Sequence, residues 1–380
     1  MVTQLYNIKP MNIGTPFIES LTSYINRLAY LHCIKTGTLI KEIITPSLNK
    51  DYLCAIAKRG GNGFYQCSHG INGIGSQAED FAKIMGELTG VDLINSTFLF
   101  WSDVLPTRGL IRKYKAWCPV CYEESKNNNQ VPFDKLIWGL QESTICSIHN
   151  VSLEIMCDNC KKEQFYLYRN SFPGCCCYCG SWLGKTDGKR NIDTPNFSDE
   201  HYLEGLFEVQ IDYINKRKSI QAQVFKDAIT FYINDIFNKN ITIAAKQLGF
   251  PSTTLRYWIS EENRPPLNAI LSICNSLNLT IKEFIEKKPV TRLTKKETLV
   301  ETEGHYRKKL DHSQIKKHLI KIIENQITIS IKRIAEDIGC DRRLLYLKYP
   351  EECKKIKEIY DKSIQKKKTR DLIKKSMNLI

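Results

Sequence analysis

The sequence predicts a mainly α-helical, multidomain protein: an N-terminal helical region, two zinc-knuckle modules with short strands, and C-terminal helix-turn-helix domains. Three observations lead there. Nine of the 15 cysteines crowd between Cys118 and Cys179. Apolar residues recur at helical spacing on either side of that cluster. Beyond residue 220 a motif with a turn glycine occurs twice, at a constant offset of 90.

A chain of 380 residues is long for one core and suggests two to four compact units. The expected division is an N-terminal domain over 1–115, a double zinc module over 116–185, a linker over 186–220, a helix-turn-helix domain over 221–286, a basic linker over 287–310, and a second helix-turn-helix with a basic tail over 311–380.

The N-terminal domain opens with Pro16, which stops any helix running in from upstream, and Ser20, a suitable N-cap. Leu21, Tyr24, Ile25, Leu28, Ala29 and Leu31 share one face, so a helix is expected from about Leu21 to Cys33. Ala78, Phe81, Ile84, Met85 and Leu88 define a second helix over Gln77–Leu88, with Gly90 placed for a C-terminal cap. The glycine-rich run Arg59–Gly75 between them has neither the Lys-Ser/Thr ending of a phosphate loop nor a preceding apolar strand, and is expected to be loop.

The cysteines are the strongest signal. Cys118-Pro119-Val120-Cys121 with Cys146-Ser147-Ile148-His149 makes one set of four ligands, and Cys157-Asp158-Asn159-Cys160 with Cys176-Cys177-Tyr178-Cys179 makes another. A two-residue spacer lets a tight turn aim two ligands at one point, and two such turns complete the tetrahedron zinc prefers. Full sets of four leave no open position for water, so two structural zinc ions are expected, with folding of the module coupled to binding. Cys175 and Cys177 flank Cys176 and compete with it for the last position. The other cysteines (Cys33, Cys54, Cys67, Cys274, Cys340, Cys353) are scattered and read as small apolar residues.

Lys185–Ser198 has the Gly, Pro, Asn and Ser content of a linker. In the first helix-turn-helix, Ala244, Ala245 and Leu248 face inward, Gly249 makes the turn, and Ser252 or Thr253 caps a second helix up to Ile259. Its outward residues, Thr253, Thr254, Arg256 and Tyr257, are candidates for DNA contact. Helices over Leu267–Leu277 and Ile281–Ile285 follow Pro265-Pro266. The echo (Ala335, Ile338, Gly339, Leu345 for Ala245, Leu248, Gly249, Leu255) repeats the pattern, with Asp341 as cap and Arg342, Arg343 and Tyr346 as the second candidate DNA-contacting set.

Charge agrees. Of the net +14, residues 287–380 carry 26 Lys plus Arg against 13 Asp plus Glu, so the C-terminal quarter is basic and the rest nearly neutral. Such a tail most often meets nucleic acid, because each cation set against a phosphate releases counterions; the alternative is a solvated lysine-rich surface. No run reaches the roughly 20 apolar residues of a membrane span, and Met1–Pro10 lacks the order of a secretory signal, so a cytoplasmic protein without a membrane partner is expected. No cluster of metal-binding carboxylates or activated nucleophile is evident, which points away from a nuclease or recombinase. Glu19 and Arg27, eight residues apart, suit either a partner surface or a buried ion pair.

The chain resembles the TniQ/TnsD family of transposon target-selection proteins. The match rests on Pro16, Glu19, Ser20, Leu21, Ser23, Arg27, Leu28 and Ala29, then Trp117, Cys118, Cys121, Trp138, Cys146, His149, Leu153, Cys157 and Cys160; Tyr24 departs from a tryptophan common there. The resemblance implies an adaptor rather than an enzyme, marking a target and recruiting the AAA+ regulator TnsC. Some members bind an attachment site directly; shorter ones dimerise and sit on a CRISPR Cascade with its guide RNA. DNA, a TnsC-type ATPase, Cascade and a second copy of the chain as homodimer are therefore the implied partners. The alternative class is a zinc-containing helix-turn-helix transcription regulator.

Overall fold

The computed structural model describes residues 3–48, 62–188, 197–290 and 312–377. It is mainly helical and divides into two compact units, Met1–Lys296 and Glu297–Ile380. Cys54, residues 189–196 of the linker over 186–220, and most of the basic linker over 287–310 lie outside the described residues.

The first unit begins with α1, Leu21–Leu31, capped by the Ser20 side chain, which accepts from the Ser23 amide. Its apolar face is wholly buried at Leu21, Tyr24, Ile25 and Leu28. It ends two residues before Cys33, where the backbone turns left-handed at φ 54°. A helical stretch over 36–47 follows, widening to a π-turn at Ile40–Ile44. The described part of the glycine-rich run is not plain loop: Asn62–Gln66 is helical and Ser68–Asn72 is a 3₁₀ turn. The local ladder absorbs the glycines because Phe64, Tyr65 and Ile71 bury their side chains. Helix α2 runs Ser76–Thr89 and stops at Gly90, at φ 69°, as a left-handed cap requires.

The middle of the unit is stitched by small pairings. Helix α3, Pro119–Asn127, starts at Cys118. Strands β1 (Ile145–Cys146) and β2 (Val151–Ser152) form an antiparallel hairpin, and isolated bridges join Glu19 to Lys135, Trp117 to Glu154, Met156 to Glu163 and Cys175 to Trp182. The N-terminal helices clamp this module: Asn26 Nδ2 donates to the Tyr166 carbonyl and the Gly37 amide to the Arg169 carbonyl. A Cβ at Gly37 would lie 2.8 Å from the Arg169 Cα, so only glycine permits this approach.

Six helices complete the unit: α4 (Phe197–Asn215), α5 (Val224–Ile236), α6 (Ile241–Leu248), α7 (Ser252–Ile259), α8 (Leu267–Leu277) and α9 (Ile281–Ile285). The expected linker over 186–220 is thus corrected, for α4 occupies most of it. Leu203, Leu206, Phe207 and Gln210 recur at helical spacing and are buried, which stabilises what the flanking composition read as loop. The helix-turn-helix is also not a separate bead. Phe98 meets Phe207 at 5.6 Å, Trp101 stacks on Phe225 and donates to Gln210, and one hydrophobic core runs from Ile18 through the cysteine module to Ile285.

The second unit holds α10 (His312–Glu324), α11 (Ile331–Ile338), α12 (Arg342–Lys348) and α13 (Pro350–Met377). Ile315, Leu319, Ile334, Leu345, Cys353 and Ile356 form its core. The two echoes adopt the same geometry. Gly249 and Gly339 are both left-handed, at φ 78° and 74°, and Leu255 and Leu345 are both fully buried. The caps differ: Asp341 accepts from the Arg343 amide as expected, whereas α7 starts one residue early, after Pro251 and without a side-chain cap. Pro251 fixes its own φ and leads into the first turn in place of a capping oxygen.

Candidate metal centre

Each four-ligand set assembles from turns. At Cys118 the chain enters α3, with Pro119 in its first turn, and the Cys121 amide donates to the Cys118 sulfur. The other three knuckles share one geometry. Asn150, Lys161 and Gly180, each the fourth residue after the leading cysteine, are left-handed, at φ 53°, 55° and 73°. Each donates its amide to the carbonyl of that cysteine, Cys146, Cys157 or Cys176, over 2.7–3.0 Å. Such a turn points the sulfur and the side chain three residues on toward one point.

In the first cluster Cys121 and Cys146 sulfurs stand 3.8 Å apart, and His149 Nδ1 is 3.5, 3.3 and 3.7 Å from the sulfurs of Cys118, Cys121 and Cys146. In the second, Cys157–Cys179 is 3.7 Å and Cys160–Cys176 is 3.6 Å. A tetrahedron with bonds of about 2.3 Å to sulfur has edges of about 3.8 Å, and slightly less to nitrogen. Both sets could therefore hold a metal ion in the arrangement found. The second includes Cys176, with Cys175 and Cys177 outside it. Burial pushes the Cys177 thiol up to about 11 and raises that of Cys175, keeping both protonated.

The surroundings of the first cluster fit a cation bound by three thiolates. Lys135, buried to 6% exposure, donates from Nζ to the Cys121 sulfur at 2.9 Å and lies 4.4 Å from the centre of the Trp138 ring. No carboxylate pairs with it among the described residues, so its anion is the sulfur. Three thiolates, a neutral imidazole and a divalent ion carry one net negative charge, which one buried ammonium balances. His149 turns its other nitrogen, Nε2, to Glu124 at 2.9 Å, which fixes Nδ1 as the ligating atom. Without an ion the sulfurs share protons: hydrogen bonding to Cys121 raises Cys118, and hydrogen bonding to Cys118 lowers Cys146. In the second cluster the Ser181 hydroxyl lowers Cys179 to about 5, so a thiolate is at hand at neutral pH.

Next to the first cluster lies a buried polar knot. Lys115 Nζ meets Asp134 at 3.2 Å and the Tyr122 hydroxyl at 3.2 Å, and Tyr122 donates to Asp134. Burial, then the Asp134 charge, pushes Tyr122 well up. The Asp134 amide donates to Ser23 and its carbonyl accepts from Ser20, so the knot ties the cluster to α1. Glu19, fully buried, accepts from Arg27 at 2.6 and 3.0 Å, from Ser23 and from the Met11 amide. The Glu19–Arg27 pair is therefore internal, and Glu19 precedes the helix rather than lying on it. A family model described as TniQ matches residues 10–153. That segment, somewhat over a third of the chain, is similar to the TniQ family. The TniQ segment contains α1, α2, α3, the Glu19–Arg27 pair and the whole first cluster, while the second cluster and all later helices lie beyond it. The match supports a transposition-associated role in target selection. No curated protein matches the chain.

The candidate DNA-contacting residues fall on two separate helices, one in each unit. On α7, Thr253, Arg256 and Tyr257 are exposed and Thr254 is half-buried; on α12, Arg342, Arg343 and Tyr346 are exposed. Leu255 and Trp258 face the core on α7, as Leu345 does on α12. Sequence reasoning missed Lys135 and Glu124, because a lone lysine or glutamate carries no spacing signal until the fold sets it against a ligand. No helix among the described residues is long and apolar enough to cross a membrane.

Proposed function

We propose that this chain selects the target for transposition as a non-catalytic adaptor that contacts duplex DNA through α7 and α12 and recruits a TnsC-type AAA+ ATPase. The observation that carries the reading is the TniQ segment sharing one continuous core with a helix-turn-helix whose second helix leaves Thr253, Arg256 and Tyr257 in solvent. The second helix of such a pair enters the major groove, and Arg342 and Arg343 at the start of α12 suit guanine or phosphate. The metals are two zinc ions held for structure. Zinc is favoured because complete thiolate and imidazole sets of tetrahedral shape suit it and leave no position for a substrate.

Affinity purification of the tagged full chain, from cells carrying its neighbouring transposition genes, with sequencing of bound nucleic acid, tests this. Enrichment of one duplex sequence together with an AAA+ ATPase supports it. Copurification of a guide-RNA Cascade in place of a specific duplex would move recognition to that complex. Recovery of neither DNA, Cascade nor ATPase would sink the proposal.

A further inference from the structure

The turn that supplies two ligands to the second cluster also presents Tyr178, which stands 37% exposed between Cys177 and Cys179. Beside it lie Tyr168, Phe165 and Tyr114, each half-buried. The ring centres of Tyr178, Tyr168 and Phe165 form a triangle with sides of 5.3, 6.1 and 6.2 Å, which Tyr114 lengthens into a short row at 5.6 Å from Phe165. The row is fixed from beneath, where Tyr168 packs 5.4 Å from the buried Tyr65. Two exposed lysines ride on it: Lys162 Nζ lies 4.9 Å from the Tyr178 ring centre and Lys113 Nζ 5.1 Å from that of Tyr114. Among the described residues neither is held in an ion pair, although the adjacent Lys161 reaches Asp158.

Rings that only fill a core have no need of solvent or of cations on their faces. Partly exposed rings with unpaired lysines are the combination on which unstacked bases lie while their phosphates are neutralised. Duplex DNA keeps its base faces stacked and offers none to such a row. We propose that Tyr114, Phe165, Tyr168 and Tyr178 form a stacking platform for single-stranded nucleic acid, with Lys113 and Lys162 meeting its phosphates. The platform is distinct from α7 and α12, and it goes beyond the duplex reading without depending on it.

Fluorescence anisotropy of the metal-loaded full chain with labelled oligo(dT) and oligo(U) of about 20 nucleotides, longer than one such site, tests this. Both strands are expected to bind, and a preference for one identifies DNA or RNA as the source. Tyr178→Ala should weaken binding about tenfold while Tyr178→Phe keeps it, because stacking needs the ring. Lys113→Gln with Lys162→Gln should flatten the dependence of log affinity on log salt by about 0.7 per lysine. Arg342→Gln with Arg343→Gln should leave single-strand binding unchanged, and Tyr178→Ala should leave duplex binding unchanged. Metal content equal to the parent's shows the Tyr178 and lysine variants folded, and an unchanged melting transition shows it for the Arg342/Arg343 variant. Absence of single-strand binding by the parent, parental affinity in both the Tyr178→Ala and the double-lysine variants, or loss confined to the Arg342/Arg343 variant would overturn the proposal.

Discussion

A lysine with 6% of its surface in water needs an anion, and Lys135 finds one in the sulfur of Cys121. Replacing it by glutamine removes the charge that balances a loaded Cys₃His site. Affinity of that site should fall by about tenfold or more, as for other partners of metal ligands, with the second site unaffected. Competition with a chromogenic chelator measures both sites, and equal lability of the two would contradict it. Arg27 poses the complementary problem. Arg27→Ala strands the carboxylate of Glu19 in a fully buried position, at a cost of about 3–5 kcal/mol, readable from the denaturation midpoint. A change under about 1 kcal/mol would mean that water reaches Glu19 and screens it.

The elements show which signals survive in a linear sequence. Ligand spacing was legible because a knuckle is local: four residues close one turn, and the left-handed position after it is Asn150, Lys161 or Gly180. The helix-turn-helix pairs were legible for the same reason, with helix, turn glycine and helix contiguous. Gly339→Ala tests that turn cleanly, since a Cβ there meets nothing within 4 Å and the cost is backbone conformation alone. A loss of about 1–2 kcal/mol in the stability of the second unit is expected, and no loss would mean the turn relaxes. Helix α4 was misread because Pro195 and the polar residues around it dominate its approach, while its apolar period of Leu203, Leu206 and Phe207 is short. Lys135 and the rings were illegible because their contacts, Lys135 with Cys121 and Tyr114 with Phe165, follow no regular spacing and form only when the module folds. On α12, Arg342 and Arg343 are exposed, so Arg342→Gln with Arg343→Gln should leave melting unchanged and flatten the salt dependence of duplex binding by about 0.9 per lost phosphate contact. An unchanged slope and affinity would remove α12 from the interface.

In the molecule as a whole, the cysteine module is the brace between the N-terminal helices and the first helix-turn-helix. Trp117, Tyr122, Trp138 and Leu183 of the module belong to the same core as Phe225, Tyr232 and Phe284. Leu203 and Phe207 of α4 bring Phe98 and Trp101 of the TniQ segment into it. The second unit has its own core and shares none of these residues. Because metal ligands lose their arrangement on unfolding, binding free energy is folding free energy for everything that shares the core. Hydrogen exchange of the full chain, before and after complete metal removal by chelation, tests this most directly. Protection is expected to fall over residues 116–185 and also in α4–α9, while α10–α12 keep theirs. Retained protection over 116–185 after the metal is gone, or loss confined to 157–179, would contradict it.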